Sequence, residues 1–304
     1  MKILISGSSG FVGKNLIAYL LHQQQIEIQD LSLRKASWKN DIDSEASALI
    51  HLAGKAHDTS NTSTPEEYFK VNTEITKKLF DEFLNSEIRD FFYFSSVKAS
   101  ADTIDTVLDE QHHSDPKTPY GKSKLLAEEY LLSKQLPNNK RLFIIRPCMI
   151  HGPGNKGNLN LLYKLVQKGM PWPLAAFENK RSFLCIDNLN FLIENMVKKE
   201  DIPSGIYNFA DDDAISTSEL VKIISQALGK KERLLSIPTW LVSGLAKIGD
   251  KIKLPLNSER LKKLTENYIV SNQKVKQAIG VTSLPVTIEE GLEKTIKSFN
   301  TQKQ

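Results

Sequence analysis

The chain has 304 residues, enough for one large α/β domain and a smaller lobe, and 40% apolar with 25% charged residues is the composition of a soluble globular protein. Forty basic against 36 acidic residues leave a net charge of +4 without a long basic block, which argues against a nucleic-acid-binding surface. Two cysteines, Cys148 and Cys185, form neither a disulfide framework nor a metal-ligand spacing, and none of the six histidines is placed for a metal either. No run reaches the ~18 apolar residues that a membrane span needs. The first strand starts at residue 2, so no signal peptide is expected and a cytoplasmic location is the economical reading.

Ile3 to Ile5 is a short apolar run and predicts a buried parallel strand over Lys2–Ser6. Gly7, Gly10 and Gly13 follow at once, then Leu16, Ile17, Leu20 and Leu21 at helical spacing. Strand, glycine-rich turn and helix is the context of a dinucleotide-binding loop. Glycine lets the backbone turn tightly and approach a pyrophosphate at the helix N-terminus, where Phe11 and Val12 begin the first turn. Further strands are expected at Glu27–Leu31, Ala48–His51, Asp90–Ser95 and Arg141–Arg146, and helices near Phe11, from Pro65 to about Asn85, and from Tyr120. Their alternation predicts a doubly wound, Rossmann-like parallel sheet in an α/β fold. Residues 55–64 and 100–118 read as polar loops.

After Pro147 the texture changes, with prolines and glycines around one amphipathic helix, Leu159–Gln167. Ser182–Lys198 and Gly205–Ala210 read as returns to the sheet. From Ile215 the chain is mostly helical, with breaks at Pro238, Pro255 and Pro285. The expected organisation is a dinucleotide-binding domain over 1–157, joined by the returns at about 183–212, and a smaller, mostly helical lobe from 158–182 and 213–304. Thr239–Ile252 predicts an amphipathic helix; packing on the second lobe is favoured over a membrane-surface role.

Tyr120 and Lys124 are four apart and share one helix face. A phenol titrates near ~10, and an ammonium beside it is expected to lower that value, making the pair a proton-transfer device. Ser96 lies just past a predicted strand, two dozen residues earlier, where its hydroxyl can stabilise charge on a substrate oxygen. Capping of the next turn is the plainer use of Ser96, and Ser95 is the runner-up for the catalytic hydroxyl.

The glycine loop with Tyr120 and Lys124 resembles the extended short-chain dehydrogenase/reductase superfamily, in its NAD-dependent nucleotide-sugar epimerase/dehydratase family. Further landmarks resemble that family in order: Ile50-His-Leu-Ala-Gly54, Val71-Asn72, Phe94-Ser-Ser96, Arg146-Pro147, His151-Gly-Pro-Gly154, Lys180-Arg-Ser-Phe183 and Ile186-Asp-Asn-Leu189. The resemblance runs from residue 1 to about 295. Asn155-Lys-Gly-Asn158 and Asn179-Lys-Arg-Ser182 are similar to the branch with UDP-glucose 4-epimerase-like proteins and the reductases that make UDP-N-acetylquinovosamine.

The resemblance implies catalytic roles for Ser96, Tyr120 and Lys124, and cofactor contacts from Gly7, Gly10, Phe11, Val12, Gly13, Leu52, Ala53, Gly54, Asn72, Tyr120 and Lys124. It implies a substrate diphosphate held by Arg181, with Asn155, Asn158 and Arg260 as further candidates and Ser96 on the sugar. His151 and His57 are expected in loops facing the cleft, and His112-His113 in solvent. For the cofactor, Asp30 at the end of the second strand argues for NAD, while Ser32, Arg34 and Lys35 argue for NADP; the balance leans to NADP. Family dehydratases carry an Asp-Glu pair after the catalytic hydroxyl, where this chain has Val97 and Lys98. The implied reaction is therefore redox chemistry at C4 of a UDP-sugar, as epimerase or 4-keto reductase, without dehydration. A non-catalytic nucleotide sensor on the same fold is the remote alternative. The resemblance leaves room for a homodimer.

Overall fold

The structure, a computed structural model, describes residues 1–23, 25–55, 64–155, 159–252 and 257–301. Its strands are β1 Lys2–Ser6, β2 Glu27–Leu31, β3 Ala48–His51, β4 Asp90–Phe94, β5 Val107–Leu108, β6 Arg141–Pro147, β7 Met149–His151, β8 Arg181–Cys185, β9 Gly205–Phe209, β10 Ala214–Ile215 and β11 Ile269–Val270. Its α-helices are α1 Phe11–Leu21, α2 Pro65–Tyr68, α3 Ile75–Leu84, α4 Pro119–Ser133, α5 Leu159–Gln167, α6 Ile186–Lys198, α7 Thr217–Ala227, α8 Thr239–Ile252, α9 Ser258–Thr265, α10 Gln273–Ile279 and α11 Ile288–Thr301.

Six strands form one parallel sheet in the order β2-β1-β3-β4-β6-β9. Successive side chains of a strand face opposite sides of a sheet. Ile3, Ile5, Ile50, Phe92, Phe143 and Ile145 pack on one side with Leu16 and Leu20 of α1 and Leu189 and Ile193 of α6. Leu4, Leu49, Phe91, Tyr93 and Ile144 pack on the other with Leu79, Phe80 and Phe83 of α3 and Ala127 and Leu131 of α4. Both faces are covered, which is why these strands read as continuous apolar runs. The sheet is the expected doubly wound, Rossmann-like one. The strand order turns back between β1 and β3, and such a switch point opens a crevice at the carboxyl ends of the strands.

A further apolar cluster gathers Leu159 and Tyr163 of α5, Phe183 of β8, Leu220 and Ile224 of α7, Val242 and Ala246 of α8, and Leu292 and Ile296 of α11. It lies beside a small sheet in the order β10-β8-β7. Here the sequence expectation needs correction. Residues 182–198 are not one return to the main sheet: β8 joins the small sheet, and α6 layers over the large one. Gly205–Phe209 does return, as edge strand β9 beside β6.

The helix expected from Pro65 is interrupted. Thr64 and Glu67 form a capping box around Pro65, but Phe69–Glu74 is a π-helical turn between α2 and α3. A π turn re-aims the side chains it carries, and such turns recur at functional sites. This one carries Asn72, which is fully buried.

Candidate active site

The three glycines have different jobs. Gly7 has φ +79°, and a Cβ there would lie 2.6 Å from the Ala53 amide nitrogen. A Cβ on Gly13 would lie 2.4 Å from the Gly7 carbonyl oxygen. These two press the loop against the end of β3 and against itself. A Cβ on Gly10 would meet only the Gly7 oxygen, at 3.2 Å, so Gly10 borders open space at the N-terminus of α1. Bare backbone before a helix N-terminus fits the pyrophosphate of a dinucleotide. Leu52, Ala53 and Gly54 leave β3 alongside, with the Leu52 amide donating to the Ser6 carbonyl at 3.0 Å. Phe11 and Val12 open α1 as expected.

Asp30, near the end of β2, accepts a hydrogen bond from the Ser8 hydroxyl of the glycine loop at 2.5 Å. Ser32 and the exposed Arg34 follow it, while Lys35 is paired with Asp41 at 3.1 Å. Below the crevice His51 is buried between the Ser6 hydroxyl at 2.7 Å and the Thr76 hydroxyl at 2.9 Å. Burial and the charge of Lys124 push its imidazole down to about 3, so it is a neutral polar link between β1, β3 and α3.

The start of α4 brings Tyr120 to Ser96. Thr118 is the N-cap, accepting from the Gly121 amide at 3.2 Å, and Pro119 follows it. Asp102 holds this cap by accepting from the Lys117 amide at 2.6 Å, the Thr118 amide at 3.1 Å and the Thr118 hydroxyl at 2.9 Å. Gly121 lets the helix press on the turn after β4, since a Cβ there would lie 2.4 Å from the Lys98 carbonyl oxygen. Ser96 caps that turn, accepting from the Lys98 amide at 3.2 Å, and its side chain also hydrogen-bonds the Tyr120 phenol. The plainer capping use and the contact with tyrosine thus coexist in one residue. Ser95 points elsewhere and donates to Glu128.

Lys124, one turn beyond Tyr120, is buried, donates to the Phe94 carbonyl at 2.8 Å and lies 5.0 Å from the centre of the Tyr93 ring. Gly54 leaves room for it: a Cβ there would lie 3.2 Å from the Lys124 amine and 3.1 Å from Asn72 Oδ1. Asn72 accepts from the Lys55 amide at 2.7 Å and donates to the Lys55 carbonyl and the Ser123 hydroxyl, both at 3.1 Å. It therefore joins the loop after β3 to α4.

Burial sets the charge states. It pushes the Lys124 ammonium down to about 8, against the attraction of Glu128. It pushes the Tyr120 phenol above its ordinary value, against the Ser96 hydrogen bond, and the Tyr68 ring stands edge-on to Tyr120 at 5.9 Å. The expected lowering of the phenol by Lys124 is not found: desolvation raises it, and the opposing influence is the Ser96 hydrogen bond. Beneath the pair, buried Glu128 is gripped by Arg146 at 3.0 Å from Nε and 2.5 Å from Nη2, and Arg146 also reaches the Ser114 hydroxyl at 3.1 Å.

The outer candidates are placed differently from one another. Arg181 is paired with Glu266 at 3.0 Å, a residue that the sequence reading passed over, and its Nε is buried without a partner. Burial holds this guanidinium below its ordinary value. Asn155 donates to the Ile150 carbonyl at 2.8 Å, as an asparagine in a turn commonly does. Asn158 and His57 lie outside the described residues; Arg260 falls in α9, with its side chain outside them. His151 does not face a cleft: it is fully buried in β7, 3.0 Å from the Thr295 hydroxyl, because β7 pairs with β8 at the edge of the small sheet and α11 packs against it. His112 and His113 are exposed. At the position of the dehydratase acids, Val97 is buried and Lys98 donates to the Asp102 carbonyl at 2.6 Å, with its amine 3.9 Å from the centre of the Tyr268 ring. Among the described residues no group of His, Cys, Asp or Glu could hold a metal ion.

The family described as NAD dependent epimerase/dehydratase matches residues 3–210, most of the chain and all of the site just described except Arg260, Glu266, Tyr268 and Thr295. The chain belongs to this family. As an epimerase/dehydratase family member it is 28% identical to the UDP-glucose 4-epimerase of Vibrio cholerae, over 98% of this chain and 95% of that one. It is 27% identical to the N-acetyl-α-D-glucosaminyl-diphospho-ditrans,octacis-undecaprenol 4-epimerase of Escherichia coli O157:H7, over 97% and 94%. Its fold is similar to that of UDP-glucuronic acid 4-epimerase from Bacillus cereus, solved in complex with NAD, with a TM-score of 0.76, 16% identity and full coverage of both chains.

Proposed function

We propose that this family member is a nicotinamide-dependent enzyme acting at C4 of a UDP-hexose or UDP-N-acetylhexosamine, as a 4-epimerase. The observation that carries this is the Ser96–Tyr120 hydrogen bond with Lys124 one helical turn behind it, at the carboxyl end of β4 and across the switch point from the Gly10 backbone. The two relatives support the position of the chemistry, since both are named 4-epimerases of a sugar joined to a diphosphate.

Gly7, Gly10, Phe11, Val12, Gly13, Leu52, Ala53, Gly54 and Asn72 would hold the dinucleotide, which supplies a hydride acceptor and donor when bound. Tyr120 is the proton carrier for the C4 oxygen. Ser96, already hydrogen-bonded to the phenol, orients that oxygen and keeps the phenol from turning away. Lys124 places a positive charge behind the phenol and draws it toward the phenolate as the proton moves. Arg181 would exchange Glu266 for the substrate diphosphate, to which its planar fork is matched. Residues 1–157 with the returning segment would form the cofactor domain, and the remainder the substrate lobe. Neither Val97 nor Lys98 can supply the carboxylate pair that dehydration needs.

Asp30 and Arg34 divide the choice between NAD and NADP. Lys35 is spent on Asp41, which weakens the cationic side, so we assign NAD where sequence alone leans to NADP. Mass spectrometry of nucleotide released from purified protein tests the cofactor. A panel of UDP-sugars tests the reaction. Interconversion of two 4-epimers without consumption of added NAD(P)H is the expected result. Stoichiometric oxidation of NAD(P)H by a 4-keto sugar would replace epimerase by reductase. Appearance of a 4-keto-6-deoxy product from an unmodified UDP-hexose would overturn both.

A further inference from the structure

Helix α8 has two apolar faces and only one is covered. Val242 and Ala246 are buried in the second apolar cluster. Trp240, Leu241, Leu245 and Ile248 are 75, 41, 51 and 52% exposed. At about 100° per residue these four span an arc of roughly 140°, beside the buried face and not within it, and Gly244 lies inside the same arc. A single exposed leucine is ordinary on a protein surface; a tryptophan with three aliphatic side chains on successive turns is a contact surface. Lys247 is exposed at the edge of the arc.

The charge around this helix is distinctive. Residues 230–265 contain nine basic and three acidic residues, a local excess of +6 against +4 for the whole chain, so the remainder is net negative. Part of this excess is tied to α8 structurally. Asp250 accepts from the Ser258 amide at 2.9 Å and the Ser258 hydroxyl at 2.6 Å, fixing the start of α9, on which Lys262 is exposed. Lys230, Lys231 and Arg233 precede α8 in the chain, where Lys230 donates to the Gln167 carbonyl and Arg233 to the Gly169 carbonyl at 3.0 Å.

We propose that α8 docks this protein on an anionic lipid bilayer, with Trp240, Leu241, Leu245 and Ile248 in the interface and the neighbouring lysines against the headgroups. An apolar arc with Lys247 at its edge and an aromatic residue among the apolar groups, in a stretch of net positive charge, matches a surface-lying helix. A second copy of this chain fits less well, because it would set two cationic surfaces against each other. No helix among the described residues is long and apolar enough to cross a membrane, so the attachment is peripheral.

The test is cosedimentation of the full chain with vesicles of equal parts phosphatidylglycerol and phosphatidylcholine, read together with tryptophan emission. Trp38 and Trp172 are buried, so a shift of emission to shorter wavelength on vesicle addition reports Trp240. Binding should fail with pure phosphatidylcholine, weaken in high salt, and fall roughly ten-fold or more in the triple variant Trp240→Ser, Leu245→Ser, Ile248→Ser. Circular dichroism serves as the folding control. Should the triple variant not fold, the pair Lys247→Glu, Lys262→Glu reads the same contact through charge. Absence of binding by the wild-type chain, or undiminished binding by these variants, overturns the proposal. So does sedimentation equilibrium showing a dimer that the triple variant converts to monomer, which would make the face a subunit contact.

Discussion

Lys124→Met should abolish turnover while leaving the protein as stable as before or more so. Burial holds the Lys124 ammonium at about 8, against 10.5 for a free lysine. Burial of the charged form is therefore unfavourable by about 3 kcal/mol. The sign follows from proton binding. Between the folded value and 10.5 the unfolded chain binds more protons at this residue, so the lysine's penalty is complete below about pH 8 and disappears as pH rises toward 10.5. Methionine fills a similar volume without charge but leaves the Phe94 carbonyl without its donor, a loss of about 1–3 kcal/mol. The net change is about 0 to +2 kcal/mol at neutral pH, and with about 2 °C per kcal/mol in a chain of this length the melting temperature should rise by about 0–4 °C. Scanning calorimetry of both proteins at pH 7 and pH 10 measures this. The difference between them should shift in favour of wild type by pH 10, and other buried titrating groups such as Cys148 cancel because both proteins carry them. A variant melting well below wild type at pH 7 would mean that Lys124 is held by favourable contacts, and the account of a charge kept at a cost for catalysis would be wrong. Wild-type turnover should decline above about pH 8 as this ammonium is lost.

The other expectations follow from individual contacts. Tyr120→Phe should fold normally and lose ~10²–10⁴-fold in turnover, the usual worth of a positioned acid–base group; retention of a tenth of wild-type rate defeats the role. Gly10→Val should fold with near-native stability yet lose dinucleotide affinity by calorimetry, whereas Gly13→Val should fail to fold, since its Cβ would collide with the Gly7 oxygen at 2.4 Å. Arg181→Ala should raise KM more than it lowers kcat; the reverse pattern would place Arg181 at the reacting centre. Glu128→Ala leaves a buried guanidinium unpaired and should cost about 3–5 kcal/mol by denaturant titration, and the double variant Glu128→Leu, Arg146→Met should recover most of it.

Much of the large sheet was legible because its signals are local. Apolar runs, the glycine spacing and the proline at the start of α2 each act within a few residues. What escaped depends on partners far along the chain. The strand Arg181–Cys185 is as apolar as a main-sheet strand, and only its pairing with Met149–His151 sends it to the other sheet. His151 reads as a loop residue until that pairing buries it. Arg181 reads as a free cation until Glu266, 85 residues on, meets it. The Tyr120 phenol was expected to fall because Lys124 is near in sequence, but burial is a property of the assembled fold. Asp102 lies in a stretch without periodicity, yet it clamps the cap that aims Tyr120. Even charge hid a pattern: the basic residues of 230–265 are interspersed with apolar ones, so no run of like charge marks them.

The site is stiff because its ionisable groups are buried. His51, Lys124 and Tyr120 are all pushed toward their neutral forms by burial, so none would stay where it is if its neighbours could relax. Each is held in place by hydrogen bonds of the surrounding fold. His51 is fixed from both ring nitrogens, Lys124 by the end of β4, and Tyr120 by a helix cap that Asp102 secures. The Glu128–Arg146 pair lies under them and supplies a carboxylate that favours the charged lysine. A change of charge at the mouth of the crevice therefore cannot be absorbed by motion of these side chains. It must act on their protonation, and that is the property a proton-transferring site needs.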